Sequence, residues 1–416
     1  MMRCMSALEV DRQRPLTRTV NATQPLAART RAALRGLAGD PALRRAVVIV
    51  VVLRLGLGLV GWLSLVLRPG DPRGTALQSW LVPPGGMRWA LLGPWQRDDG
   101  LWYQLLASHG YSHGGPDNAF FPLYPAVTHV VGVGLGGDYA TAAMLVSTLA
   151  LVGALTVLHH LFRFDLEERT TRLAVLLVAL SPTAFFFLAP YTESLFLLLS
   201  AGSFLAVRRH HLGLAGVLAA LAALCRVQGA ILVVPLAYEA LVDIRRRRHL
   251  HLRAVSSGHA VVALPLVALG AFLLYGRLAL GLRGGALDAA SRFWHIRTVA
   301  PWSALFDSLR AIPVHPEEMF NLLSCVLLVV AVPLLWRMNR SYALYAAAAA
   351  LPACFREDQF SPLMSASRYV AVVFPLFMLA AVALKDRAGL RRDVLVLSAA
   401  MMAARFVDFA HFHLVA

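Results

Sequence analysis

The sequence has little charge and few cysteines for its length. Only 15% of its 416 residues are charged, against roughly 25% in an average soluble domain. A soluble chain of this size keeps a polar surface, so the composition excludes a soluble enzyme. No CxxC pair occurs among the four cysteines, Cys4, Cys225, Cys325 and Cys354. Neither a disulfide framework nor a metal knuckle is therefore expected, and the last three should be buried free thiols.

Apolar residues make up most of the chain. They account for 58% of it, and the mean hydropathy is +0.63. This composition is typical of a helical protein that crosses the membrane many times. Lys and Arg total 39 against 23 Asp and Glu, a net charge of +16. The basic loops on the cytoplasmic side of membrane proteins explain this excess, so no nucleic-acid partner is expected.

Eleven apolar runs are candidate membrane helices, because a span needs about 20 mostly apolar residues. The predicted fold class is therefore all-α, a polytopic bundle of about eleven transmembrane helices. The basic residues 1–45 lack the apolar core of a signal peptide. We expect them to form a cytoplasmic tail with an interfacial helix near 25–44, and residues 46–416 to form the membrane domain. The runs are 46–67, 139–161, 171–188, 192–207, 211–226, 229–243, 255–275, 319–336, 341–354, 368–384 and 393–410.

Residues 120–136 decide the topology, because they could either span the membrane or lie at its surface. If they spanned it, all later basic loops would lie outside, against the positive-inside rule. We therefore predict a non-spanning segment, with the N-terminus inside and the C-terminus outside. Residues 68–138 then form a long first extracytoplasmic loop with interfacial helices, and 276–318 form a second. The basic loops lie at 208–209, 245–253, 337–340 and 385–392.

Unusual polar and aromatic residues gather on the predicted outer side. Taken singly, each has a structural explanation, such as a solvated loop, a helix N-terminus, a snorkelling arginine or an interfacial tryptophan. Their shared side points to a functional site, because ionisable groups at membrane ends are costly. His109 and His113 have the spacing of metal ligands, but no third ligand stands out. The set comprises Asp98, Asp99, Tyr191, Glu193, Arg226, Gln228, Trp294, Trp302 and Arg368.

Several stretches together resemble the PIG-V family, of the GPI mannosyltransferase 2 type. The resemblance covers roughly residues 46–384, and the stretch at 181–200 is its most specific part. Trp294, Arg297, Pro301 and Trp302 fit a weaker pattern. The stretches are RDDGLWYQLLASHGY (97–111), FFPLYP (120–125), SPTAFFFLAPYTESLFLLLS (181–200), CRVQG (225–229) and PLMSASRYVAVVFPLF (362–377).

The resemblance implies a GT-C fold and an inverting transfer of mannose from a polyprenyl- or dolichyl-phosphate carrier. The family motif usually reads R-W-D-G/A-x-W-Y, which Arg97, Asp99, Gly100, Trp102 and Tyr103 match here. Asp98 occupies the usual tryptophan position. The resemblance therefore implies that Asp99 is the catalytic carboxylate, with Asp98 as a second candidate.

Sugar transfer with inversion needs a base for the acceptor hydroxyl and positive charge for the leaving phosphate. We assign Asp99 as general base, and Arg226 and Arg368 to the donor phosphate, because arginine gives forked donors. Glu193 could bind sugar hydroxyls or orient Arg226. Since arginines can receive a phosphate leaving group, no metal or other cofactor is expected. The candidates for sugar or acceptor binding are Glu193, Tyr191, Trp102, Tyr103, Gln228, Trp294 and Trp302.

Two other readings stay open at this point. One is a GT-C enzyme that uses another lipid-linked sugar, such as arabinose or glucose. The other is a transporter or lipid flippase, in which the outer polar residues form a gate. Transporters commonly carry internal repeats and broken helices that meet near the midplane. No convincing repeat relates the two halves of this sequence.

Overall fold

The computed structural model describes residues 36, 39–71, 77–249, 257–357, 361–413 and 415. Helices dominate this part of the chain, as the composition predicts. They are α1 Pro41–Leu67, α2 Gly86–Leu92, α3 Asp99–His109, α4 Leu123–Gly134, α5 Tyr139–Phe162, α6 Glu168–Ala179, α7 Glu193–Arg208, α8 Leu212–Cys225, α9 Val233–His249, α10 Ser257–Ala260, α11 Leu264–Ala279, α12 Ala286–Trp294, α13 Pro301–Ala311, α14 Glu318–Met338, α15 Arg340–Cys354, α16 Ala366–Ala371, α17 Pro375–Leu384 and α18 Ala388–Ala410.

Helix α1 begins five residues earlier than the apolar pattern predicts. The Asp40 side chain accepts a hydrogen bond from the Ala42 N–H at 2.9 Å, and Pro41 occupies the first helical position. Both are favoured starts for a helix. The interfacial helix expected near 25–44 lies largely outside the described residues, and 41–44 belong to α1.

Five helical segments of the described chain are long and apolar enough to cross a membrane. Three further apolar helices are shorter, at Leu123–Gly134, Leu212–Cys225 and Pro375–Leu384. The count of eleven spans is therefore not confirmed, although several apolar helices support a multi-pass membrane protein. The five segments are Pro41–Leu67, Tyr139–Phe162, Val227–His249, Gly258–Ala279 and Glu318–Met338.

Some predicted spans are broken by irregular backbone. The run 171–188 divides into α6 and a 3₁₀ turn at Ala184–Phe187, with Pro182 between them. The run 368–384 divides into α16 and α17, and Pro375 starts the second piece. Proline removes a backbone donor and clashes with the preceding turn, which explains breaks beside it. These breaks lie next to the residues of the candidate site.

Helix α4 has twelve residues and packs against α5. At 1.5 Å per residue it is about 18 Å long, well short of the roughly 30 Å of a bilayer core. Gly136 and Gly137 take positive φ values in the turn that follows it. The short length supports a segment 120–136 that does not span, while the direction of each helix across a bilayer stays a prediction.

The all-α prediction misses one small feature of the loops. Strand β1, Arg297–Thr298, pairs antiparallel with β2, Arg356–Glu357, and the Val299 N–H extends the pairing to the Phe355 carbonyl at 2.9 Å. This ladder joins the second long loop to the segment that leads to α16. Cys225, Cys325 and Cys354 are free and buried, as predicted, while Cys4 lies outside the described residues.

Candidate active site

A cavity of about 970 Å³ lies where the motif segments meet. Its polar end holds the two aspartates and two arginines, and most of its remaining wall is apolar. The polar lining includes Asp98, Asp99, Tyr103, Tyr191, Thr192, Arg226, Gln228, Arg297, Thr298, Ser365, Arg368 and Tyr369. The apolar lining includes Phe120, Phe121, Phe186, Val227, Ile231, Leu287, Trp294, Ile296, Leu351, Phe355 and Met364.

A tight turn presents the aspartate pair to this cavity. The Gly100 N–H donates to the Arg97 carbonyl at 2.9 Å, and Asp98 in the turn has φ 40° and ψ −117°. Asp99 is the first residue of α3. A Cβ at Gly100 would lie 2.8 Å from Cγ of Pro190, so only glycine lets this turn pack against the motif at 181–200. The close fit explains why a glycine follows the aspartates.

Arg97 supports this turn from behind and does not line the main cavity. Its side chain is 2% exposed and donates to the carbonyls of Gly93 at 2.7 Å and Phe409 at 3.1 Å. It also donates to the Ala410 carbonyl at 3.0 Å, at the end of α18. The Arg97 carbonyl in turn accepts from the Tyr191 hydroxyl at 3.1 Å. The first residue of the motif therefore positions the aspartates.

Arg368 joins the first and last motifs. Its Nη1 and Nη2 both lie 3.2 Å from Oδ2 of Asp99, and its Nη2 lies 2.7 Å from Oε1 of Glu193. The guanidinium also stacks over the rings of Phe186 and Tyr191, at 4.5 and 4.8 Å. The structure thus brings together two residues that are 269 positions apart in the sequence.

Glu193 holds two arginines at once. Its side chain is 1% exposed, and the same Oε1 that contacts Arg368 lies 2.8 Å from Nη1 of Arg226. Arg226 in turn lies over the Tyr369 ring at 5.2 Å. Glu193 is not among the residues that line the cavity. The sequence analysis gives Glu193 two possible roles, to bind sugar hydroxyls or to orient Arg226. Its contacts with Arg226 and Arg368 fit the second role.

The Asp98 carboxyl differs electrostatically from its neighbour. Its side chain is accessible from the cavity, although protein atoms enclose it on most sides. Burial and the negative charge of Asp99 raise the pKa of Asp98 to about 6, against the opposing charges of Arg97 and Arg368. A carboxyl with such a pKa exchanges its proton close to neutral pH.

Most of the predicted site residues meet in one place, with exceptions. Tyr103, Tyr191, Gln228 and Trp294 line the cavity beside the aspartates and arginines. Trp102 does not line it, because its ring packs against Phe120 and Trp294 with centroids 5.8 and 5.7 Å away. Trp302 is 75% exposed on α13 and lies outside the lining. These two tryptophans are therefore not placed to touch a ligand in the cavity.

The lining also contains residues to which the sequence analysis assigned no role. In the motif at 362–377, Tyr369 follows Arg368 directly and Ser365 lies three residues before it, while Thr192 adjoins Glu193. Their nearness to motif residues in the sequence is the signal by which they could have been found. Within the described ranges, no three His, Cys, Asp or Glu side chains come together as a metal site.

One family model matches part of the chain. It describes dolichyl-phosphate-mannose-protein mannosyltransferases and matches residues 122–270. Together with the apolar helices, this match supports the class of GT-C membrane glycosyltransferases. The PIG-V family, which the sequence resembles, is not confirmed by it. No curated protein matches the chain.

Two solved structures show a distant similarity. One is a crystal structure of the Archaeoglobus fulgidus oligosaccharyltransferase with zinc and sulfate, with 13% identity, a TM-score of 0.43, and coverage of 88% of this chain and 53% of that chain. The other is the archaeal oligosaccharyltransferase from the same organism with an inhibitory peptide and a dolichol-phosphate. It shows 12% identity, a TM-score of 0.38, and coverage of 87% and 56%. This chain thus spans about half the length of each, and similarity at this level establishes neither fold nor activity.

Proposed function

We propose that the protein is a membrane-embedded inverting glycosyltransferase that moves mannose from polyprenyl-phosphate-mannose to an extracytoplasmic acceptor. The acceptor would be a glycolipid, a glycan or a protein. One observation carries the proposal: two aspartates share the polar end of a largely apolar cavity with arginines from distant motifs. A lipid-linked sugar needs this combination, and the partial mannosyltransferase family match supports it.

In the proposed reaction, Asp99 is the general base. Arg368 holds its Oδ2, which leaves Oδ1 free to take the proton of the acceptor hydroxyl. The acceptor oxygen attacks the anomeric carbon while the bond from that carbon to the phosphate oxygen breaks. The lipid phosphate leaves with the electron pair, and its charge is met by guanidinium groups that face the cavity. Arg226 and Arg368 are the proposed partners of this phosphate.

Asp99→Asn tests this role most directly. We expect transfer from radiolabelled polyprenyl-phosphate-mannose in membranes to fall by about 10²-fold or more, because a positioned base contributes about that much. Asp386→Asn is a matched control, since Asp386 is exposed and lies outside the cavity lining. Full activity of the Asp99 variant at wild-type expression would remove Asp99 as the base.

Metal independence is a separate part of the proposal. The arginines offer the positive charge that a metal would otherwise supply to the leaving phosphate. We expect EDTA to leave transfer unchanged in washed membranes. Loss of activity in EDTA, with recovery on addition of Mn²⁺ or Mg²⁺, would contradict this expectation.

The same membranes distinguish the other two candidate functions. Transfer from a polyprenyl-phosphate-arabinose or -glucose donor, but not from the mannose donor, would identify another GT-C specificity. Movement of the labelled lipid across vesicles without glycosidic product would identify a transporter. The contact of Asp99 with a motif arginine favours the enzyme over the transporter, because a gate needs no such base.

A further inference from the structure

The positive charges of Arg226 and Arg368 are already balanced by carboxylates. Both arginines contact Oε1 of Glu193, at 2.8 and 2.7 Å, and Arg368 also contacts Asp99. Two carboxylates thus face two guanidinium groups, and Asp98 adds negative charge beside them when it is ionised. This group carries no excess positive charge with which to attract a phosphate. The donor assigned in the proposed function therefore needs another cation in the cavity.

Arg297 supplies such a cation. It lies on β1, lines the same cavity and is exposed. Its opposite residue in the ladder is Glu357, but the two side chains form no ion pair, and within the described part of the chain no other carboxylate pairs with Arg297. Its guanidinium is therefore available to a ligand.

The surroundings of Arg297 suit an anion that is attached to a hydrocarbon chain. Ala286, Ala290 and Trp294 recur every four residues on one face of α12 and line the cavity, and Ile296 continues this lining. Arg297 follows directly, where the apolar wall contributed by this loop ends. A lipid phosphate carries its charge at one end of an apolar tail. Its phosphate would therefore lie at Arg297 and its tail along this apolar wall.

We infer that Arg297 pairs with the phosphate of the lipid-linked donor, and that the β1–β2 ladder holds it there. It adds the net positive charge that Arg226 and Arg368 do not supply by themselves, because Glu193 and Asp99 balance their charges. This inference rests on the proposed function, because it names the residue that meets that donor's phosphate. An inorganic phosphate would use the same guanidinium but would gain nothing from the apolar wall.

Equilibrium binding of tritiated farnesyl phosphate to the full chain in nanodiscs tests this inference, with empty nanodiscs subtracted. We expect Arg297→Gln to raise the dissociation constant by roughly ten-fold, as loss of a charged hydrogen bond predicts. Arg297→Lys should retain part of the affinity. Arg292→Gln is the matched control, because Arg292 is exposed, five residues away and outside the lining. Farnesol and inorganic phosphate separate the contributions of the tail and the charge.

The outcomes are distinct. Wild-type binding that Arg297→Gln leaves unchanged overturns the inference while leaving the proposed function standing. No binding of farnesyl phosphate or of polyprenyl phosphate by the wild type overturns the proposed function as well. Inorganic phosphate that competes as tightly as the lipid contradicts a site built for a lipid phosphate. A weakened Arg297→Gln beside an unchanged Arg292→Gln supports Arg297.

Discussion

At the scale of the residue, Asp98 is the most unusual side chain of the site. Its φ of 40° and ψ of −117° belong to a region that glycine adopts and other residues rarely enter. Holding a non-glycine residue there costs of order 1–3 kcal/mol, and such strain clusters at functional sites. The turn thus keeps an aspartate where a glycine would fit better, which makes its carboxyl a candidate for function.

The raised pKa of Asp98 predicts a pH-dependent stability. Since this pKa is about 6 in the folded chain and 3.8 as its ordinary value, the folded state holds the proton more tightly. The wild type should therefore lose stability as the pH rises from about 4 to about 6, and the loss should persist above that. We expect Asp98→Asn to have a higher Tm than the wild type at pH 7.5, with the difference disappearing near pH 4. A Tm difference that does not change between these pH values would contradict the raised pKa.

The candidate site residues were largely predictable one by one, but their partners were not. The motifs identify Asp99, Glu193, Arg226 and Arg368, because charged groups at membrane ends are costly. The sequence does not show that one oxygen of Glu193 receives both arginines. Such a contact depends on how three separate helices pack, and no local pattern encodes it.

At the scale of the element, α14 positions the short helix that carries Arg368. Glu318 at the start of α14 is fully buried and accepts hydrogen bonds from Ser308, Ser361 and the Leu363 N–H. One turn later, Oδ1 of Asn321 accepts from the Ser367 N–H at 3.1 Å. These bonds fix the segment that leads into α16.

Asn321→Ala should loosen this support. It leaves the Ser367 N–H without its partner in a buried place, which costs about 1–3 kcal/mol. We expect a lower Tm and a reduced kcat for transfer, because Arg368 would no longer hold Asp99 firmly. Glu317→Gln, at the residue just before this helix, is the control, since its side chain is partly exposed. A Tm and a kcat equal to those of the wild type would show that Asn321 does not position α16.

The breaks between elements were partly readable in advance. Proline marks the interruptions near 182 and 375, and hydropathy marks the long helices. Hydropathy cannot tell whether two short helices act as one span, so the count of eleven spans stays a prediction. The β1–β2 ladder has two residues in each strand, too few to leave an alternating pattern.

At the scale of the whole molecule, Arg97 fastens the end of the last helix to the first loop. Its guanidinium donates to carbonyls at the end of α18, more than 300 residues away in the sequence. The run 393–410 shows no family pattern, so this role was not expected. The composition alone was nevertheless sufficient to predict a helical membrane protein.

Arg97→Lys should weaken this link. A lysine cannot reproduce the forked donors, and buried carbonyls would lose partners at a cost of about 2 kcal/mol. We expect a lower Tm and faster proteolysis near the C-terminus. Arg88→Lys is the comparison, because Arg88 forms a surface ion pair with Asp138, and such pairs contribute about 0–1 kcal/mol. Equal Tm values for the two variants would contradict the role of Arg97.

The distance in sequence between Asp99 and Arg368 has a consequence for biogenesis. Ribosomes add about 5–20 residues each second, so the 269 residues between them take roughly 15–50 s to synthesise. Throughout this interval the nascent chain carries Asp99 without Arg368, its partner in the folded site. The Asp99 carboxylate must stay hydrated, or be shielded by the insertion machinery, until the segment with Arg368 emerges. A chain that stops before α16 would be inserted and yet inactive.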